Sequence, residues 1–163
     1  MELSRLPGVP TRPDCGGRSD GRQTGQRAPT AAVLVAVAKG PQMAVILIVE
    51  DDVFIREIAD MMIQDCGHQT LSASDVDQAL SILRDAQHID ALFTDIYLKT
   101  AVLGGCELVR QAIALRPKLR VLYTTGNTVT DKMKALFVEG THFLGKPYTQ
   151  QQLQDSVEEM LAS

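Results

Sequence analysis

The stretch VILIVEDD, residues 45–52, decides the reading of this chain. Its first five residues are apolar without alternation, the pattern of a strand covered on both faces in a parallel sheet. Its last three, Glu50, Asp51 and Asp52, are acids delivered where that strand ends. The period then changes. Ile55, Ile58, Ala59 and Met62 recur at helical spacing over residues 52–66, so the segment predicts a strand followed by an amphipathic helix with these four facing inward.

Downstream the same alternation repeats four times. Residues 69–73 read as a second strand. Ser74 opens a Ser-x-x-Asp start signal for a helix whose Val76, Ala79, Leu80 and Leu83 share one face. Residues 89–94 form a third strand ending at Asp95. A glycine-containing loop and a helix over 106–115 come next, stopped before Pro117. Residues 120–124 make a fourth strand, and Thr130 or Asp131 opens a helix that Gly140 closes. Residues 141–144 are a short fifth strand. Thr149 and Gln152 form a capping box for a last helix with Leu153, Val157, Met160 and Leu161 inward. Five strand–helix units in about 120 residues predict an α/β fold: a doubly wound, five-stranded parallel sheet with five helices in three layers.

Upstream of Met43 the composition differs. Pro7, Pro10, Pro13, Pro29 and Pro41 lie among many Gly and Arg with no periodic apolar face. Such a segment buries too little apolar surface to offset its ordering entropy. Residues 1–42 are therefore expected to be a disordered tail, or an extension ahead of a true start at Met43; residues 43–163 are the domain. The apolar run at 31–38 lacks the context of a signal cleavage site.

Composition excludes several classes. The 163 residues are 45% hydrophobic and carry a net charge of −4, so no bulk attraction to nucleic acid or anionic membrane is expected. No apolar run approaches the roughly 18 residues that span a bilayer. Cys15, Cys66 and Cys106 form neither a CxxC pair nor an even set, which predicts free thiols and a cytoplasmic location. His68, His88 and His142 lack zinc-site spacing.

Ligands of open parallel sheets sit at the carboxyl ends of the strands. The first strand brings Glu50, Asp51 and Asp52 there, the third Asp95, the fourth Thr124, Thr125 and Gly126, and the fifth Lys146 between Gly145 and Pro147. Clustered carboxylates raise one another's pKa unless a cation intervenes. Mg²⁺ suits them, since it takes oxygen ligands and keeps sites for phosphate oxygens. An ammonium and a hydroxyl nearby complete the parts for phosphoryl transfer to a carboxylate. Singly, each piece has an ordinary reading: acids at a helix start, a turn aspartate, strand threonines, a surface Lys-Pro turn. Their arrival together at successive strand ends favours the functional one.

The four segments ILIVEDD (46–52), LFTDIYL (92–98), VLYTTGN (121–127) and FLGKPY (143–148) resemble, in order and spacing, the receiver domain of response regulators, with its flavodoxin-like fold. The resemblance implies that Asp95 accepts a phosphoryl group, with Lys146 and Thr125 assisting. It implies Mg²⁺ held by Glu50, Asp51, Asp95 and the backbone carbonyl of Tyr97. It assigns the switch to Thr125, rather than Thr124, and to Phe143, makes Asp52 a helix-start acid, and implies a cis Lys146–Pro147 bond. Two departures stand out: Lys99 replaces a proline usual four residues after the phosphoacceptor, and the loop over 99–105 is a residue or two longer than usual.

The implied function is a stand-alone phospho-accepting receiver, not an enzyme beyond its own phosphorylation and dephosphorylation. Its partners would be a sensor histidine kinase or histidine phosphotransfer protein and an unidentified output protein, with neither nucleic acid nor membrane. The alternative is an unphosphorylated pseudo-receiver serving as an interaction module. A dehalogenase-like phosphatase would need an Asp-x-Asp pair on the first strand, and a flavin site a phosphate-cradling loop after it. Finally, Phe54 and Met61 fall together, roughly 110° from the inward stripe of the first helix at about 100° per residue. The ordinary reading packs both under a neighbouring loop or the last helix; by resemblance, receivers present this helix to the bundle carrying the donor histidine, so the ridge is expected to dock the kinase.

Overall fold

The computed structural model describes residues 43–98 and 103–163. The expectations for residues 1–42 and for Lys99 lie outside the described residues. Five strands, β1 (Val45–Val49), β2 (Gln69–Ala73), β3 (Ala91–Asp95), β4 (Arg120–Thr125) and β5 (His142–Gly145), pair in parallel in the order β2-β1-β3-β4-β5. Four helices of 10 to 13 residues connect and follow them: α1 (Val53–Asp65), α2 (Val76–Asp85), α3 (Gly104–Leu115) and α5 (Gln150–Ala162). Between β4 and β5 stands a single turn, α4 (Asp131–Lys134).

The unalternating apolar strands are buried on both faces. Ile46 and Ile48 of β1 join Phe93 and Leu122 in one core, against Ala59 and Ile63 of α1 and Leu153, Val157 and Met160 of α5. Leu47 and Val49 join Leu92, Val121 and Tyr123 in the other, against Leu80 and Leu83 of α2 and Leu108 and Val109 of α3. Burying side chains on both sides of every central strand is what forces three layers.

Several local expectations are corrected. The start of α2 is capped by Asp75, whose side chain accepts the Gln78 N–H at 2.9 Å, while Ser74 braces Asp75 at 3.0 Å. Strand β3 begins at Ala91, not at residue 89, and α3 begins at Gly104. Strand β5 starts and ends one residue later than read. On α1 the buried residues are Ala59 and Ile63, and Ile55 and Ile58 are exposed.

The helix expected to run to Gly140 stops at Lys134. Beyond it the N–H groups of Leu136 and Phe137 bond only three residues back, at 2.9 and 3.1 Å. The chain turns so that Phe137 stacks on Tyr123, ring centroids 4.5 Å apart. Tertiary stacking here outweighs helix continuation. Gly140, at φ +76°, still closes the segment. The capping box of Thr149 and Gln152 is present at the start of α5.

Candidate functional site

Parallel register brings the expected residues to one edge. Val49 pairs with Thr94, Asp95 with Thr124, and Thr125 with Gly145, so the residue after each strand arrives at the same level. Carboxylate oxygens of Glu50, Asp51 and Asp95 lie within 4.8 Å of one another. Glu50 is 2% exposed and Asp95 9%, so these acids face little bulk water. Lys146 Nζ donates to Glu50 Oε2 at 2.5 Å and to Asp95 Oδ2 at 3.0 Å. The Lys146–Pro147 bond is cis, as the resemblance implied. Lys146 is held in place by its own N–H, which donates to the Thr125 carbonyl at 2.9 Å.

Buried charges of this kind persist only when paired. Lys146 pairs with Glu50 and Asp95, and the three carboxylates together offer a donor set of hard, closely spaced oxygens. That set fits a divalent oxygen-seeking cation such as Mg²⁺. The Tyr97 N–H donates to Asp95 Oδ1 at 3.1 Å, which holds the Tyr97 backbone at the site. Asp52 turns away as the cap of α1, accepting the N–H groups of Phe54 and Ile55 at 2.9 and 3.2 Å. It belongs to the helix start, as expected, rather than to the acid cluster.

The two threonines separate cleanly. Thr124 is enclosed, and its hydroxyl has no hydrogen-bond partner among the described residues. Thr125 lines a groove with Gly126, Phe137, Phe143 and Lys146, and its Oγ1 accepts the Asn127 N–H at 3.2 Å. Phe143 is 42% exposed and lies over Phe137, ring centroids 6.4 Å apart. Tyr123, Phe137 and Phe143 thus form a column running from the core to the surface. Phe54 and Met61 are 73% and 58% exposed and so do not pack under a neighbouring element. Val53, Ile55 and Ile58 extend that apolar surface along α1.

Sequence reasoning missed four contributors. Gly105 packs against the Asp95 backbone so tightly that a Cβ would sit 2.0 Å from its carbonyl oxygen; the Gly-Gly pair opening α3 was the available signal. Tyr148 packs edge-on to Phe93 at 6.3 Å. Burial, with Glu50 and Asp95 nearby, pushes its phenol up to about 12, so it remains protonated beside the acids. Tyr123 is fully buried, and burial raises its phenol strongly. Its hydroxyl has no hydrogen-bond partner among the described residues, the Val138 backbone beside it falling short of that geometry. Arg56 Nη1 donates to the Glu50 carbonyl at 2.6 Å, and nothing in the local pattern singled it out.

A family model described as the response regulator receiver domain matches residues 46–158. The chain is 26% identical over 110 residues to an uncharacterized transcriptional regulatory protein, YrkP, of Bacillus subtilis, covering 66% of this chain and 45% of the relative. It therefore spans less than half the length of that protein. A response regulator receiver protein of Sinorhizobium medicae superposes with a TM-score of 0.68 at 23% identity, over 75% of this chain and 97% of that one, a likeness of fold. The chemotaxis protein CheY4 of Vibrio cholerae superposes with a TM-score of 0.64 at 26% identity, over 74% of this chain and all of that one.

Proposed function

Because the chain belongs to the response regulator receiver domain family, we propose that residues 43–163 are a phospho-accepting switch in which Asp95 takes a phosphoryl group from a phosphohistidine. The observation that carries this reading is Lys146 Nζ bonded to both Asp95 and Glu50 beside the clustered oxygens of Asp51. An Asp95 carboxylate oxygen forms a bond to phosphorus as the P–N bond breaks, and the electron pair leaves with the imidazole. Glu50, Asp51, Asp95 and the Tyr97 carbonyl would hold Mg²⁺, whose charge offsets that of the phosphoryl oxygens. Lys146 then exchanges its bonds to carboxylate for one to a phosphoryl oxygen, and the Thr125 hydroxyl donates to another.

The switch arises in the groove. Movement of Thr125 toward the acyl phosphate opens space beside Phe143, which stands outward over Phe137. Inward packing of Phe143 changes the surface around β5, and a partner protein reads it as a shift between two packings. The donor, a sensor kinase or histidine phosphotransfer protein, docks on α1 beside the acids, where Phe54 and Met61 stand exposed. Among the described residues no helix is long and apolar enough to cross a membrane. The free thiols of Cys66 and Cys106 suit the reducing cytoplasm.

The test is direct labelling. With Mg²⁺ and a small-molecule phosphodonor the protein is expected to gain one acid-stable, base-labile phosphoryl group, and Asp95→Asn to gain none. Equal labelling of Asp95→Asn overturns the assignment. Absence of labelling in the parent supports the pseudo-receiver instead, a reading the complete acid–lysine set disfavours.

A further inference from the structure

Arg56 takes no part in phosphoryl transfer, yet it touches the site's main chain. It stands half-buried in the first turn of α1, and its Nη1 donates to the Glu50 carbonyl at 2.6 Å. Every other polar group of Glu50 is also held. Its N–H donates to the Ala73 carbonyl at 3.2 Å, Oε1 accepts the Asp52 N–H at 3.2 Å, and Oε2 accepts from Lys146 at 2.5 Å. Glu50 is the residue at which the chain leaves β1. The Glu50 carbonyl is one end of the peptide plane joining it to Asp51. An anchored carbonyl restricts ψ of Glu50, the soft dihedral that sets the direction in which the chain, and with it Asp51, leaves β1 relative to Asp95.

We propose that Arg56 is a positioning residue for the metal centre: by holding the Glu50 carbonyl it fixes the path by which the chain leaves β1 and with it the convergence of the carboxylates. The inference rests on the reading of the site as a Mg²⁺ centre. Two simpler roles forecast different results. If Arg56 acted only as a charge, its guanidinium would repel a second cation, and removing it would tighten Mg²⁺ binding. If it acted only in the fold, its removal would lower the melting temperature without Mg²⁺ and leave the Mg²⁺ dissociation constant alone. Positioning alone forecasts weaker binding, because partners that orient metal ligands typically account for roughly 10- to 100-fold in affinity.

The experiment is calorimetric titration of the full chain with MgCl₂, for the parent, Arg56→Met, Arg56→Gln and Asp51→Ala, with melting curves recorded without Mg²⁺. Arg56→Met keeps the apolar stem and loses the donor; Arg56→Gln is the soluble second variant should the first fail to fold. Each is expected to raise the Mg²⁺ dissociation constant at least about tenfold. An unchanged or lower constant in either folded variant, with a parent that binds Mg²⁺ and an Asp51→Ala that does not, overturns the role of Arg56 and leaves the site reading standing. A parent that binds Mg²⁺ no better than Asp51→Ala overturns both.

Discussion

Replacing Gly105 by alanine is expected to destabilise the protein, although alanine is the better helix former and Gly105 lies inside α3. Propensity alone favours the change by about 1 kcal/mol. The new Cβ would stand 2.0 Å from the Asp95 carbonyl oxygen and 2.9 Å from both the Asp95 carbonyl carbon and the Ile96 Cα. Those are backbone atoms, so no flexible side chain can give way. Ordinary contact begins at 3.4 Å, so the start of α3 must retreat by about 1.4 Å, or the chain after β3 must move by as much. Either motion breaks the Gly105 N–H bond to the Ile96 carbonyl, 3.1 Å long, which contributes about 1 kcal/mol. Overpacking strain adds about 1–3 kcal/mol. Net of propensity, the loss is about 2 kcal/mol, which lowers the melting temperature by roughly 5–10 °C. Since the displaced atoms belong to Asp95 and Ile96, labelling by a small phosphodonor is expected to slow as well. Denaturant melts and labelling rates are to be compared with Ala114→Gly, an exposed site on the same helix, where propensity alone predicts a loss of about 1 kcal/mol. A Gly105→Ala protein as stable as the parent would refute the argument from close approach.

Mg²⁺ at 100 times its dissociation constant is expected to stabilise the parent by roughly 2.7 kcal/mol, and Asp51→Ala to lose the accompanying rise in melting temperature. An Mg²⁺ response in that variant equal to the parent's removes Asp51 from the ligand set. Phe54→Ala combined with Met61→Ala is expected to slow phosphotransfer from the cognate kinase while leaving small-donor labelling nearly intact; equal loss in both assays makes the ridge structural. Tyr123→Phe is expected to leave the melting temperature unchanged or higher, because the deleted hydroxyl is buried without a hydrogen bond and such burial costs about 1–3 kcal/mol. A fall of several degrees would show that the hydroxyl is satisfied in solution.

The sequence by itself determined the order of elements and which polar residues meet at the carboxyl edge of the sheet. Uninterrupted apolar runs identify doubly buried strands, and a parallel sheet brings the residues at the end of each strand to one edge, so Glu50, Asp51, Asp95, the Thr124–Thr125 pair and Lys146 were legible there from pattern and spacing, and the family resemblance singled out Thr125. Two helix starts were legible as well, being set by near neighbours: Asp52 caps α1 and Thr149 with Gln152 caps α5, whereas the α2 cap fell on Asp75, one residue beyond Ser74. The tertiary structure decided every feature that depends on the neighbours an element meets. Ile55 and Ile58 fit the inward stripe of α1 by angle yet are exposed, and the core takes Ala59 and Ile63 instead. Residues 135–140 continue a helical pattern, but stacking of Phe137 on Tyr123 ends α4 after one turn. The closeness of Gly105 to Asp95, and the reach of Arg56 to the Glu50 carbonyl, are contacts between separate elements. Periodicity reports which face of an element is apolar; only the packed chain sets how far the covering layer extends and which backbone atoms come into contact.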